Sequence, residues 1–290
     1  MVKKDFLKPA MATALLIVAS ALPFADSYAQ AGQLPNQPSE SPSYADLADL
    51  VDASQIVLRA EIRKQAVVDA SRAPGLKPGF VRLYIEARTT ALLTGTVPIG
   101  ESLRYLVDVP LTPKGKAPKL RKSEVLIFGR TVPGRPGELQ LAAPSAQLPW
   151  SDALEIQLRP ILAEFVASDA APAITGIRDA FSIEGNLAGE SETQIFLSTK
   201  NDGPVSITVV RRPGLRPVWG VSWSEIVDQA AKPPLADTLD WYRLACFLPA
   251  QLPRQTNASS DMMAQQRAAA DYRFVQDALG PCTRHLNLMR

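Results

Sequence analysis

The sequence predicts an α+β protein, with a small N-terminal antiparallel β-barrel followed by an antiparallel β-meander and C-terminal helices. Short segments in which apolar and polar residues alternate recur along the chain, and this is the pattern of half-buried strands. Many of the 25 prolines lie between these segments, where they favour turns. Near the C-terminus, apolar residues recur at spacings of three and four, which is typical of helices.

Composition limits the class of protein. At 290 residues the chain is long enough for two domains that each bury a core. Its hydrophobic fraction of 46% and charged fraction of 21% are those of a globular protein. A formal net charge of +2 is too small to indicate nucleic acid as the main partner.

The N-terminus has the pattern of a secretory signal peptide over residues 1–31. Three lysines precede an apolar segment at residues 11–24, and the small residues Ala29 and Ala31 follow it, so that cleavage is expected after one of these two. The apolar segment falls short of the roughly 20 residues that a membrane span requires. We therefore expect a periplasmic or secreted protein with no transmembrane segment after signal removal.

Residues 44–148 are predicted to form the first domain, after a polar, proline-rich linker at residues 32–43 that we expect to be disordered. Leu47, Leu50 and Val51 have helical spacing and predict a short helix. Five strand-like segments follow, with glycine and proline between them, and predict a small antiparallel barrel. These segments are residues 55–68, 80–93, 102–110, 124–129 and 137–143.

The order of a short helix, two strands and then "GESLRYLVDVP…SEVLIFGR" carries a resemblance over residues 44–145. It resembles the OB-like barrels of secreted netrin or metalloproteinase-inhibitor type modules, which implies an OB-like barrel here. The inhibitor family depends on an N-terminal cysteine and several disulfides, and this half of the chain contains no cysteine. The resemblance therefore carries over no functional residue. As a whole, the chain resembles uncharacterised exported proteins of Gram-negative bacteria.

The second domain is predicted over residues 149–290. Ser151 can cap a helix that Pro160 would kink or split. The Asp-Gly pair at residues 202–203 is typical of a hairpin turn between two alternating segments, and further alternating segments on both sides predict a meander. Two helices then end the chain, and we expect Asp237 to cap the first of them.

Cys282 and His285 form a Cys-x-x-His pair that has the spacing of half a metal site. A structural zinc site needs four ligands, of which the cysteines and the single histidine supply at most three, so we expect neither a metal nor a cofactor. Two cysteines in an exported chain are usually oxidised. We therefore predict a disulfide between Cys246 and Cys282 that links the last two helices and leaves His285 in a mobile tail.

Glu184 and Glu190 lie close together in the glycine-containing stretch "EGNLAGESE". Two carboxylates can act as acid and base in glycoside hydrolysis, and the alternative is a solvated acidic loop between strands. A serine triad is not expected because the chain has one histidine, at its end.

Two basic stretches fall in predicted hairpin loops, where they can bind an unknown protein or an anionic envelope polymer. The alternative is that they serve only solubility. Aromatic residues do not interleave with them, so single-stranded nucleic acid is not the expected partner. The stretches comprise Lys114, Lys116, Lys119, Arg121 and Lys122, and Arg211, Arg212 and Arg216.

From sequence alone, the expected function is that of an exported, non-enzymatic binding module in the cell envelope. The alternative is a carboxylate-dependent hydrolase that acts on envelope glycans through Glu184 and Glu190. A protein inhibitor, by analogy with the barrel, is a weaker hypothesis because the cysteine on which that family depends is missing.

Overall fold

The structure, a computed structural model, describes residues 41–95, 97–224, 231–259 and 261–286. The predicted signal peptide and most of the predicted linker lie outside these residues. Within them, every helix is too short or too polar to cross a bilayer.

The described residues contain four α-helices and ten β-strands. The helices are α1 (Tyr44–Asp52), α2 (Asp152–Val166), α3 (Leu239–Ala245) and α4 (Met262–Leu279). The strands are β1 (Ile56–Val67), β2 (Phe80–Gly95), β3 (Ser102–Pro110), β4 (Glu124–Thr131), β5 (Leu139–Leu141), β6 (Gln147–Pro149), β7 (Ile174–Glu184), β8 (Ser191–Thr199), β9 (Val205–Arg211) and β10 (Val218–Ser222).

The first sheet is antiparallel and has the order β3-β2-β1-β4-β5, with β6 also paired to β4. Its five main strands confirm the strand predictions, whereas β6 was not predicted. The sheet curves until β3 reaches the start of β5, where the amide of Arg104 donates to the carbonyl of Gly137 at 2.8 Å. A single parallel bridge joins Arg104 to Glu138, and no closed barrel forms among the described strands. The OB-like barrel stays a prediction.

The second sheet is an antiparallel meander of order β10-β9-β8-β7, as predicted. The turn between β8 and β9 places Asp202 in the left-handed region at φ 56°, a conformation that a short polar side chain tolerates. Helix α4 packs against β7 and β8. This helix begins at Met262 with Asp261 as its N-cap and ends before Gly280.

Helices α1, α2 and α3 pack against one another. Ser151 caps α2, because its Oγ accepts the amide of Leu154 at 3.2 Å. Of the two predicted effects of Pro160, a kink or a split, the split does not occur, since the helix continues through this residue. The predicted cap of α3 was wrong by one residue. Thr238, and not Asp237, accepts the amide of Trp241.

Buried apolar side chains from both sheets and from the helices belong to one continuous hydrophobic core. Leu83 of β2, Phe128 of β4, Ile195 of β8 and Tyr242 of α3 are all members, and each is at most 1% exposed. Full burial of such a side chain contributes about 1.5–3 kcal/mol. The domain boundary near residue 149 stays a prediction.

Cys246 and Cys282 form a disulfide, with sulfurs 2.02 Å apart, as predicted. It ties the end of α3 to the segment after α4. Since Cys282 is oxidised, the Cys-x-x-His pair is not half of a metal site.

The segment after the disulfide is not a free tail, and that expectation was wrong. The amides of His285 and Leu286 donate to the carboxylate of Asp46 at 2.9 and 3.1 Å, and the Arg284 guanidinium binds Asp49 at 2.6 Å. Both aspartates lie on α1 and are buried, and buried carboxylates require donors. We call this arrangement, residues 283–286 bound to Asp46 and Asp49 of α1, the C-terminal clasp.

Glu155, in the first turn of α2, gives the fold a pH dependence. Trp150 donates its indole N–H to this carboxylate at 2.6 Å, and Arg159 also binds it. These hydrogen bonds lower the pKa of Glu155 below its ordinary value. A carboxylate with a lowered pKa stabilises the fold above its unfolded pKa, near 4.3, and this contribution disappears as pH falls through the folded pKa.

We expect Glu155→Gln to destabilise the protein at about pH 7 and to cost less at about pH 3, because the contribution of Glu155 falls once the pH drops below the unfolded pKa and disappears as it passes the folded pKa. Urea unfolding of both proteins at the two pH values measures the difference. Asp277→Asn is the control, because Asp277 is exposed and has no ion pair among the described residues. A Glu155→Gln penalty that is the same at both pH values would contradict this account.

Candidate functional site

A groove of about 1000 Å³ lies on the first sheet. It lies on the outer face of β2 and β3, and the connections β1–β2 and β4–β5 form its sides. Five arginines and three carboxylates line it, which gives a formal excess of two positive charges. We call it the arginine groove. Its arginines are Arg72, Arg82, Arg104, Arg130 and Arg135, and its carboxylates are Asp69, Asp108 and Glu138.

Strand alternation places these side chains outside the core. Leu83 and Ile85 of β2 point inward and are fully buried, so their neighbours Arg82 and Tyr84 point outward. Tyr84 lies directly opposite Leu106 of β3 in the strand register. Both are exposed, by 36% and 48%, and together they form an apolar strip between the charged groups.

Arg82 and Asp108 form a fixed pair. The guanidinium donates two hydrogen bonds to the carboxylate, at 2.6 and 2.8 Å, and a third to the carbonyl of Pro74 at 3.2 Å. The pairing raises the pKa of Arg82. Asp108 is only 3% exposed, although Arg104 and Leu106, which share its face of β3, are exposed. This pair therefore shapes the groove and has little capacity left for a ligand.

The other arginines of the groove have more capacity to bind a ligand. Arg104 and Arg135 share one carboxylate, Glu138, at 3.9 and 3.3 Å. Arg72 and Arg130 are exposed, and neither has an ion pair or a side-chain hydrogen bond with any described residue. An anion in the groove would thus meet two unpaired guanidinium groups and two that are only half neutralised.

Asp69 lies at the side of the groove and organises the short turn that carries Arg72. Its carboxylate accepts the hydroxyl of Ser71 at 2.6 Å and the amide of Ser71 at 2.9 Å. These hydrogen bonds lower the pKa of Asp69. The carboxylate is therefore occupied within its own turn.

The predicted basic residues lie outside the arginine groove. The first stretch is the exposed connection between β3 and β4, and none of its basic side chains has an ion pair with a described residue. Arg212 and Arg216 are exposed in the connection between β9 and β10, on the other sheet. Arg211 differs from both, since its guanidinium binds the buried carboxylate of Asp271 at 2.5–2.6 Å. The residues of the first stretch are Lys114, Lys116, Lys119, Arg121 and Lys122.

Glu184 and Glu190 line one pocket of about 640 Å³ at the end of the second sheet. Glu184 forms an ion pair with Arg267 at 2.6 Å. Glu190 accepts the amide of Leu187 within its own loop at 3.3 Å. The pocket thus contains both carboxylates that the sequence singled out, and glycoside hydrolysis by them stays a prediction.

No local sequence pattern indicates the arginine groove directly. Its arginines occur singly along the chain, three in strands and two in connections, whereas the runs of basic residues lie in loops outside it. The available signal was strand alternation combined with strand pairing, which places Arg82 of β2 and Arg104 of β3 on the same outer face. The turn at Arg72 and the connection after Arg130 join that face only in three dimensions.

In the part of the chain that the structure describes, no group of three or more histidine, cysteine or acidic side chains is arranged to hold a metal ion. Comparison with models of known protein families finds no match. Comparison with curated proteins finds no match either. The functional argument therefore rests on the geometry and charge of the sites.

Proposed function

We propose that the protein is an exported, non-enzymatic binding module that takes an anionic polymer of the cell envelope into the arginine groove. The observation that carries this proposal is the surplus of guanidinium groups in the groove, two of which form no ion pair or side-chain hydrogen bond with a described residue. Arginine binds carboxylate and phosphate groups through planar pairs of N–H donors. A concave surface of one charge sign also raises the local concentration of an oppositely charged ligand.

The apolar strip adds selectivity for a polymer with rings. Tyr84 and Leu106 are exposed side by side between the arginines. The apolar face of a sugar ring can pack on such a strip while its carboxylates reach the guanidinium groups on either side. A groove of about 1000 Å³ accommodates several sugar units of an acidic polysaccharide.

The strand order supports an OB-like barrel as the finer description of the first sheet. β1 pairs with both β2 and β4, and the bridge between β3 and the start of β5 is parallel. OB folds are five-stranded, partly open barrels that bind oligonucleotides and oligosaccharides on the face of strands 2 and 3, beside the connections 1–2 and 4–5. The arginine groove lies on the corresponding face of this protein.

Export to the periplasm or the medium is part of the proposal. The signal-like N-terminus supports it, and so does the disulfide between Cys246 and Cys282, because disulfides persist in oxidising compartments.

Binding of a fluorescent oligogalacturonate, followed by anisotropy, tests the proposal. We expect Arg72→Gln with Arg130→Gln to weaken binding by about tenfold or more, since each charge-assisted hydrogen bond contributes about 1.5–3 kcal/mol. The matched control is Lys114→Gln with Lys116→Gln, which removes the same charge from an exposed loop outside the groove. This control is expected to change affinity by less than about twofold.

Equal losses in the two double variants would contradict the proposal, because they would show attraction by net charge alone. A neutral oligoglucan of the same length is expected not to bind, and binding as tight as that of the oligogalacturonate would also overturn the proposal. Inorganic polyphosphate is the second anionic probe. The tighter of the two anionic probes identifies whether carboxylate or phosphate is the preferred group.

A further inference from the structure

The pocket that contains Glu184 and Glu190 is built from three adjacent strands and one helix. Ser191 of β8 lies opposite Arg211 of β9 on one side and opposite Glu184 of β7 on the other. Directly paired residues point to the same face of a sheet, so these three side chains form a row. Helix α4 covers the row and contributes Arg267.

Both arginines of the pocket are held in place by internal partners. Arg211 binds Asp271, a fully buried carboxylate that also accepts the hydroxyl of Thr193. Arg267 donates one N–H to Ser182 and another to Glu184. Each guanidinium uses two of its nitrogens in this way, and the third has no hydrogen bond to a described residue.

Ser191 provides the observation that points to a ligand. Ser191 is one of the residues that line the pocket, it is only 4% exposed, and its buried hydroxyl has no hydrogen-bond partner among the described residues. Buried hydroxyl groups are nearly always hydrogen-bonded, because leaving one unpaired is costly. A ligand oxygen placed between Arg211 and Arg267 would satisfy Ser191 and the remaining guanidinium N–H groups together.

The opposite side of the pocket provides acceptors. Glu190 lies beneath the loop at Gly185, where a side chain on that residue would come within 2.4 Å of the carboxylate. Because Asp271 neutralises Arg211, Arg267 is left facing two glutamates, and the pocket has an excess of negative charge. A simple anion would meet repulsion from these glutamates, whereas a ligand that also has a cationic group would be attracted by them.

We propose that this pocket binds a small zwitterion of the amino-acid or dipeptide class. The ligand carboxylate binds Ser191, Arg211 and Arg267, and the ligand ammonium group binds Glu184 and Glu190. The site is distinct from the arginine groove, which lies on the other sheet, and this inference goes beyond the function proposed above.

Titration with four forms of one dipeptide tests the proposal. The probes are L-alanyl-L-alanine, its N-acetyl form, its C-terminal amide and the form with both caps, and binding is followed through the backbone amide signals of Gly189 and Ser191. We expect the uncapped dipeptide to bind about tenfold or more tightly than either singly capped form, because each cap removes one charge-assisted contact.

Two variants with a matched control locate the site. Ser191→Ala is expected to weaken dipeptide binding by about fivefold, and Glu190→Gln is expected to weaken the uncapped dipeptide but not its N-acetyl form. Ser206→Ala is the control, since Ser206 is equally buried on the neighbouring strand, also has an unpaired hydroxyl and lies outside the pocket. This control is expected to bind the dipeptide as the wild type does.

Three results would overturn the proposal. They are that the uncapped dipeptide does not bind, that its N-acetyl form binds equally well, and that glucose binds in place of the dipeptide. The groove variant Arg72→Gln with Arg130→Gln is expected to retain full dipeptide binding. Failure of the dipeptide-binding proposal is therefore distinguishable from failure of the polymer-binding proposal.

Discussion

Replacement of both cysteines, Cys246→Ala with Cys282→Ala, is expected to lower the free energy of unfolding by about 4 kcal/mol. The disulfide closes a chain segment with a sequence separation of 36 residues, and without it the unfolded chain gains the corresponding conformational freedom. A loss of this size corresponds to a fall in melting temperature of about 8–16 °C for a protein of this size. Thermal and urea unfolding without reductant measure both quantities.

The disulfide also fixes where the C-terminal clasp begins. We therefore expect the cysteine variant to exchange the amide hydrogens of residues 283–286 and of the start of α1 faster than the wild type. Wild-type protein treated with reductant is the control and is expected to match the variant. An unchanged urea midpoint in both samples would show that the crosslink contributes nothing to stability.

The second large effect is expected for Asp46→Ala, which should lower the free energy of unfolding by about 3 kcal/mol. Asp46 is fully buried, and its carboxylate accepts the amides of Ser43, His285 and Leu286. Alanine removes the capping-box partner of Ser43 and leaves the two clasp amides without an acceptor. Each unsatisfied buried donor costs about 1–3 kcal/mol.

Asp179→Ala is the matched control for Asp46→Ala, because Asp179 is half exposed and its ion pair is with its neighbour Arg178. Its unfolding free energy is expected to change by less than about 0.5 kcal/mol. If the disulfide and Asp46 act through the same clasp, the variant with all three substitutions will lose less unfolding free energy than the sum of the losses in the cysteine variant and in Asp46→Ala. Strict additivity would show that the clasp does not couple them.

Most of the fold could be predicted because local pattern and tertiary structure agree. The alternation in β2 places Leu83 in the core and Tyr84 outside it, as a period of two requires. Gly280 ends α4 with φ 71°, a conformation that favours glycine. The Cys246–Cys282 pairing followed from having only two cysteines in a chain that looks exported.

The features that could not be predicted depend on contacts between distant residues. A periodic pattern does not show that Asp46 and Asp49 need donors from residues more than 200 positions away. For the same reason, His285 looked like part of a free tail. Asp237 and Thr238 are adjacent residues that can both cap a helix, and only the backbone geometry shows that Thr238 caps α3.

The candidate sites show the same limit. The sequence marked Glu184, Glu190 and Arg211, and all three line one pocket. It did not mark Ser191 or Arg267, since a single serine or arginine within a regular pattern carries no signal of its own. The arginine groove was missed for this reason too, because three strands and two connections contribute one of its arginines each.

The most direct test of the central claim, that the arginine groove binds an anionic polymer, is hydrogen–deuterium exchange with and without oligogalacturonate. The account predicts protection of residues 80–84, 102–108 and 130–138, which surround the groove, and no change at residues 111–123. Protection that falls on residues 111–123 or 211–216 instead would place the polymer on the basic loops. That result, or no protection anywhere, would contradict the account.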